Sequence, residues 1–200
     1  MNERFTIPPQ RPTTQAANGL PRWCWTVAEI ERLAASGFFK EYDYFELLGG
    51  EIVPMMSLAG RRHETVRIEL AHRMARLAPD DIMVASEPQF NLSPDTFLKP
   101  DIVVHPHAIK TYDLHGADAL LVVEVAETSL SYDLKAKLPL YASHGVREYW
   151  VVNAVTLMTT VHRQPSGSAY AVAEEIPPDT RLVPLLAPEL AVSLNAPDLD

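Results

Sequence analysis

Apolar residues recur at intervals of three and four along three segments of the chain, which predicts three amphipathic helices. We expect these helices over residues 27–36, 61–77 and 131–144. Thr26 stands three residues before Glu29, which is the spacing of a capping box at the start of the first helix. The second helix has an apolar stripe formed by Val66, Leu70, Met74 and Leu77.

Pro139 conflicts with the third helix. A proline inside a helix removes one amide hydrogen bond and crowds the preceding turn. We therefore expect this helix either to begin later than Ser131 or to bend near the proline, and to close at Gly145.

Short apolar runs predict β-strands between and after these helices. The segment YDYFELLGGEIVPMM favours a hairpin that turns at Gly49-Gly50. A second hairpin is expected around Ser166-Gly167. Other strands are predicted over residues 82–92, 99–104, 119–126 and 148–153. This order of elements indicates an α/β fold in which a mixed β-sheet core is flanked by helices.

The composition favours one globular domain. Of the 200 residues, 47% are hydrophobic and 22% are charged, which is the balance of a globular chain with one core. Residues 1–22 contain four prolines and few aliphatic side chains, so we expect a flexible N-terminal segment there. A single domain is expected over residues 23–200.

No sequence feature suggests secretion or membrane insertion. Cys24 is the one cysteine, so no intramolecular disulfide is expected. The longest apolar run, residues 119–123, is far shorter than the roughly 20 residues that span a bilayer. The N-terminus has no apolar core of the kind a secretory signal requires. We therefore expect a cytoplasmic protein without membrane association.

The net charge restricts how the chain can bind nucleic acid. With 17 basic and 26 acidic residues the formal charge is −9, so the molecule as a whole repels polyanions. The second predicted helix is the one basic concentration, with five arginines against two glutamates. Nucleic-acid binding would therefore need a local patch, a bridging cation or a partner chain.

Two carboxylates interrupt apolar strands. Asp101 precedes the run Ile102-Val103-Val104, and Glu124 stands inside LLVVEVA. A carboxylate in a buried strand is destabilising unless it is paired or binds a cation. If the two strands are neighbours, both acids can bind one Mg²⁺, which takes oxygen ligands and leaves positions for water and phosphate.

Lys137 lies on the inward stripe of the third helix, and Tyr141 follows four residues later on the same stripe. A lysine beside two acids can orient an attacking water or stabilise charge that develops on phosphate. Structural interpretations stay open as well. Glu124 and Lys137 could form a buried salt bridge, Lys137 could extend to solvent, and Tyr141 could be a core residue with its hydroxyl near the site.

Over about residues 25–153 the chain contains, in this order, the segments YFELLGGEIVPM, GRRHETV, LKPDIVV and LLVVEVAETSLSYDLKAKLPLYASHGVREYWVVN. In sequence and order these segments resemble the Uma-two family of endonucleases, a branch of the PD-(D/E)XK nuclease superfamily. It implies a restriction-endonuclease-like core that hydrolyses DNA phosphodiester bonds with Mg²⁺ or Mn²⁺. RNA stays open as a substrate, and a homodimer would suit double-strand cleavage.

The resemblance also implies roles for individual residues. Asp101 and Glu124 match metal ligands, and the backbone carbonyl of Val125 is a third ligand by analogy with the superfamily. The superfamily's usual lysine position holds Ala126 here, and Lys137 matches the lysine that this branch carries on the next helix.

Glu46 and His63 are further candidates from the same resemblance. Glu46 matches an acid near the family's site, where it could complete the metal shell or take a proton from water. His63 matches the histidine that opens the family's helix. Each has a structural alternative, Glu46 as a strand-face acid beside Tyr44 and His63 as a hydrogen-bonded core histidine.

A rival hypothesis belongs to another functional class. A non-catalytic module could keep the nuclease fold and bind nucleic acid or a protein partner with it. The acidic net charge favours this module, whereas the set of Asp101, Glu124 and Lys137 favours the enzyme, because a binding module has no need for buried acids.

Overall fold

The computed structural model of the protein describes residues 22–39, 44–55 and 60–195. The predicted flexible segment, residues 1–22, lies outside the described residues except for Arg22. The chain forms two compact units, Met1–Met55 with Pro94–Phe97 and Met56–Ser93 with Leu98–Asp200. The single domain over residues 23–200 remains a prediction. None of the helices in the part of the chain that the structure describes has the length and apolar character to cross a membrane.

The first unit contains a capped helix and a hairpin. Helix α1 (Val27–Ala35) begins with the predicted capping box, in which the Thr26 hydroxyl accepts from the Glu29 amide and the Glu29 carboxylate accepts from the Thr26 amide. Strands β1 (Phe45–Leu48) and β2 (Glu51–Pro54) pair antiparallel as predicted. The core of this unit consists of Val27, Ile30, Leu47 and Phe97.

The second unit is built on a six-stranded sheet. Helix α2 (Arg61–Leu77) has the predicted bounds, and the chain then forms strands β3 (Ile82–Ser86) and β4 (Phe90–Ser93). The remaining strands are β5 (Thr96–Leu98), which begins in the first unit, β6 (Ile102–Pro106), β7 (Leu121–Ala126), β8 (Glu148–Asn153), β9 (Thr159–Ser166) and β10 (Ala169–Ile176). The sheet order is β10-β9-β8-β7-β6-β3, with β7 and β8 parallel and the other neighbours antiparallel. This is the mixed sheet that the sequence predicts.

The two faces of β7 have different surroundings. Side chains alternate along a strand, so Leu121, Val123 and Val125 share one face and pack with the apolar stripe of α2. Val122, Glu124 and Ala126 occupy the opposite face. Glu124 is therefore kept apart from the apolar contacts between α2 and the sheet.

The third predicted helix contains a π turn just before the helical segment that includes Pro139. Helix α3 (Leu130–Tyr132), the π turn (Asp133–Lys137) and helix α4 (Leu138–Ser143) follow one another without a gap. The Leu138 amide donates to the Asp133 carbonyl, five residues back instead of four. The wider turn ends at Lys137, so Pro139 is the second residue of α4, where its missing amide costs little.

Several details of the sequence prediction are wrong. The strand expected over residues 99–104 is Ile102–Pro106, and β5 (Thr96–Leu98) was not predicted. The strand expected over residues 82–92 is broken between β3 and β4, because Glu87 adopts a positive φ of 48° and Pro88 follows it. Leu77, expected in the buried stripe of α2, is 46% exposed because it is the last residue of the helix. The other three stripe residues, Val66, Leu70 and Met74, are buried.

Candidate active site

Asp101 and Glu124 lie at the same end of the β6–β7 pair in the second unit. The paired residues at this end are Ile102 and Val123; Asp101 comes just before Ile102, and Glu124 follows Val123. Both side chains are buried, with 7% and 4% of the residue exposed. That the two acids share one cation stays a prediction.

Asp101 lies where the backbone pairing of β6 with β7 ends. Its Oδ2 accepts from the Val125 amide at 2.7 Å, so a side chain replaces the next backbone partner of β7. The amide and carbonyl of one strand residue point to the same edge. The Val125 carbonyl is therefore directed to the side of the strand on which Asp101 lies.

His63, in the first turn of α2, contacts the same carboxylate. Its Nε2 is 3.2 Å from Asp101 Oδ1, and its Nδ1 is 3.4 Å from Glu64 Oε1. The hydrogen bond to Asp101 raises the pKa of His63 above its usual value, although partial burial opposes the shift. A raised pKa favours the protonated ring, which carries a positive charge beside the acid pair.

Glu124 accepts two hydrogen bonds at one oxygen. Lys137 Nζ lies 2.9 Å from Glu124 Oε1, and the Tyr141 hydroxyl donates to the same atom at 2.7 Å. Lys137 is 4% exposed and Tyr141 is fully buried. The salt bridge named as a structural alternative is therefore present, and it uses the residues of the predicted site.

Asp133 is a member of this cluster that sequence reasoning missed. It is 2% exposed, its Oδ1 is 3.9 Å from Lys137 Nζ, and its Oδ2 accepts from the Ser129 hydroxyl at 2.7 Å. The ring of Tyr132 lies 5.6 Å from the same ammonium group. The spacing of four between Asp133 and Lys137 was a usable signal, since residues so spaced share one side of a helix.

The site offers a donor set that suits a hard divalent cation. Mg²⁺ is commonly bound through one or two carboxylates, with water and substrate phosphate as the other ligands. Asp101, Glu124 and the Val125 carbonyl are oxygen donors, which fit such an ion. Among the described residues no group of three or more histidine, cysteine, aspartate or glutamate side chains could hold a metal by itself. A cation here would therefore depend on backbone, water or substrate oxygens in addition to the acid pair.

Glu46 lies in the first unit, on β1. It is fully buried, opposite Val53 of β2. Because Glu46 is buried, it is not an acid on a solvated face of the strand. Its part in metal binding or proton transfer stays a prediction.

Three comparisons with known proteins bear on this geometry. A family model named Uma2, described as "Putative restriction endonuclease", matches residues 27–196. Among solved structures, the chain is similar to "a putative nuclease belonging to DUF820" from Anabaena variabilis, with a TM-score of 0.67 and 18% sequence identity. That match covers 88% of this chain and 97% of the other, and at this identity it supports the fold alone. No curated protein matches. Since the family model spans most of the sequence, both compact units included, this chain belongs to the Uma2 family of restriction-endonuclease-like proteins.

Proposed function

We propose that the protein is a divalent-metal-dependent endonuclease that hydrolyses DNA phosphodiester bonds. The observation that carries the proposal is a buried lysine bound to one of two buried carboxylates. Lys137 Nζ lies 2.9 Å from Glu124 Oε1 on β7, and Asp101 comes just before β6, the strand that pairs with β7. Family membership supports the same reaction class. Phosphoryl transfer depends mainly on positioning and on stabilising negative charge, and this cluster has groups for both tasks.

The acid pair and the backbone next to it would hold the cation. Asp101, Glu124 and the Val125 carbonyl would bind Mg²⁺ or Mn²⁺. When bound, such an ion lowers the pKa of a water ligand and polarises a phosphoryl oxygen. The Val125 amide and His63 fix the orientation of Asp101, while Tyr141 fixes that of Glu124.

Lys137 is the group we assign to charge stabilisation. A single ammonium between Glu124 and Asp133 is held in place before substrate arrives, so little reorganisation is needed during the reaction. It would orient the attacking water or balance negative charge on the phosphate. The raised pKa of His63 favours a positive charge next to Asp101, which its Nε2 contacts. Glu46 is retained as a candidate for the metal shell or for proton uptake from water.

DNA is the proposed substrate, and a homodimer would account for cleavage of both strands. The net charge of −9 opposes DNA binding over long distances. The exposed residues Arg61 and Arg62 at the start of α2 offer positive charge in the same turn as His63. The proposal therefore includes a cation at the acid pair as part of the substrate-binding surface.

Cleavage assays with matched variants test this proposal. We expect wild-type protein to cut plasmid or linear duplex DNA in Mg²⁺ or Mn²⁺, and not in EDTA. Glu124→Gln and Asp101→Asn should each reduce the rate by more than about 100-fold, the upper range for outer-shell residues of metal sites. Glu174→Gln, which changes an exposed glutamate on β10, is the matched control and should cut at the wild-type rate. Single-stranded DNA and RNA of the same sequence define the substrate class.

A non-catalytic nucleic-acid or protein-binding module is the second candidate. It is favoured by the internal pairing of the acids, since Asp101 is hydrogen-bonded to the Val125 amide and Glu124 to Lys137 and Tyr141. This candidate expects no cleavage of any nucleic acid, and unchanged partner binding in Glu124→Gln. Cleavage that survives both substitutions at the wild-type rate would contradict the assignment of the site.

A further inference from the structure

Helix α2 begins without a cap from its own sequence. Its N-cap residue is Gly60, which has φ −64° and ψ 159° and offers no side-chain acceptor. The first amides of a helix have no intrahelical partner, and a residue at this position normally satisfies one of them with a side-chain oxygen. The 17-residue helix therefore needs an acceptor from elsewhere in the chain.

Glu127 provides that acceptor. It follows β7 directly and is three residues beyond Glu124 in the sequence. Its Oε2 accepts from the backbone amide of His63 at 3.1 Å. A carboxylate at this position also interacts favourably with the positive end of the helix dipole. A strand of the candidate site is thus connected directly to the first turn of α2.

Gly60 and Glu127 are sterically matched. A Cβ atom at position 60 would overlap the Glu127 carboxylate, because the glycine leaves open the space that this group occupies. The φ of Gly60 is accessible to any residue, so conformational freedom does not explain the glycine. With any other residue at position 60, the Glu127 carboxylate would have to shift from its present place.

The capped residue is the one that contacts Asp101. The backbone of His63 is held by Glu127, and its Nε2 lies 3.2 Å from Asp101 Oδ1. We propose that Glu127 is a positioning residue, which caps α2 from the sheet and thereby holds His63 against Asp101. This inference rests on the proposed function for its catalytic consequence, but the positioning itself is a property of the protein without substrate.

Three variants separate positioning from general stability. Glu127→Ala removes the acceptor. Glu127→Gln keeps an acceptor oxygen on a side chain of the same length and should behave like the wild type. Gly60→Ser combined with Glu127→Ala removes the overlap and supplies a serine hydroxyl at the N-cap, which can accept from the same His63 amide. Glu174→Ala is the matched control for loss of a glutamate on the surface.

Two measurements are made on each variant. The first is the NMR signal of the His63 ring in metal-free protein at one fixed pH, assigned by comparison with His63→Gln. The second is kcat and KM for DNA cleavage. For Glu127→Ala we expect a displaced ring signal and a kcat lower by roughly ten- to a hundredfold, the scale of a small misplacement of a reacting group, with KM little changed. The double variant should restore both the signal and kcat, and Glu127→Gln should retain both.

The outcomes distinguish the two proposals. A displaced signal that the double variant restores supports positioning, even if no variant and no wild-type protein cuts DNA, in which case the proposed function fails alone. A His63 signal that is unchanged in Glu127→Ala overturns the inference. A second result also overturns the inference: in the double variant the melting temperature returns to the wild-type value but the His63 signal stays displaced. Glu127 would then act on stability only.

Discussion

At the scale of single residues, the defining feature is a buried ammonium with two buried carboxylates around it. Lys137 is 2.9 Å from Glu124 and 3.9 Å from Asp133, and all three residues are less than 5% exposed. Burying charges is unfavourable, and their attraction offsets this only when the groups are well paired. Such a cluster is therefore costly as a purely structural element, which supports a functional reason for it.

Lys137→Met should be strongly destabilising in metal-free protein. The substitution leaves Glu124 and Asp133 buried without their shared cation, and breaking a buried pair in this way costs about 3–5 kcal/mol. Adding Glu124→Gln should recover part of this loss, since one of the two uncompensated charges disappears. Urea denaturation of the two single variants and the double variant measures the coupling. Additive losses would show that the contact contributes no coupling energy.

The residues of the acid pair could be predicted because they violate a simple pattern. Asp101 and Glu124 interrupt apolar strands, and such interruptions are visible in one sequence. Asp133 and Glu127 stand in polar surroundings, where an acid needs no explanation. The role of Glu127 depends on which groups the fold brings beside it, and periodicity does not contain this information. For Asp133 the spacing of four to Lys137 was a signal of one contact.

At the scale of elements, both ends were predicted for one helix and one strand, whereas the most continuous apolar strand, expected over residues 119–126, begins at Leu121. Helix α2 and strand β8 have the predicted ends, because a long stripe and a continuous apolar run each identify one element. The break between β3 and β4 was not predictable, since the residue with positive φ is Glu87 and not a glycine. Pro139 signalled an irregularity in the third helix, and the structure resolves it as the π turn that carries Lys137.

The hairpin of the first unit offers a matched pair of glycines. Gly49 and Gly50 both have positive φ, 56° and 83°, but their surroundings differ. A Cβ at Gly50 would lie 2.7 Å from Cys24 Cβ, whereas one at Gly49 would meet nothing within 4 Å.

Gly49→Ala should therefore cost about 1–2 kcal/mol through backbone strain alone. Gly50→Ala should cost about 1–3 kcal/mol more, because the crowding against Cys24 is added to a similar strain. Chemical denaturation of both variants gives the comparison. Equal losses would mean that Cys24 moves aside without cost. A Gly50→Ala/Cys24→Gly variant should recover only part of the crowding term, because the Cys24 Cα and carbonyl carbon would still lie 2.8 and 3.0 Å from the new Cβ.

At the scale of the whole molecule, the negative net charge of the chain disfavours binding of the proposed substrate, DNA. A net charge of −9 disfavours any polyanion, and the acid pair adds to this at the point of contact. A divalent cation bound between protein and phosphate would reverse the local charge. Metal binding is thus the central claim, because both substrate binding and catalysis depend on it.

The most direct test is calorimetric titration of Mg²⁺ and Mn²⁺ into wild-type protein and Asp101→Asn/Glu124→Gln, with and without a non-cleavable phosphorothioate duplex. Glu174→Gln/Glu175→Gln, which neutralises two exposed carboxylates on β10, controls for the change in charge. Melting temperatures without metal show that each variant is folded. Metal that binds the native state must also raise the melting temperature.

We predict that wild-type and control proteins bind a divalent cation, alone or with the duplex, and that this binding is lost in Asp101→Asn/Glu124→Gln. A wild-type protein that binds no cation even with the duplex present would contradict it. Equal binding by the wild type and the acid-pair variant would contradict it as well, because the cation would then lie elsewhere.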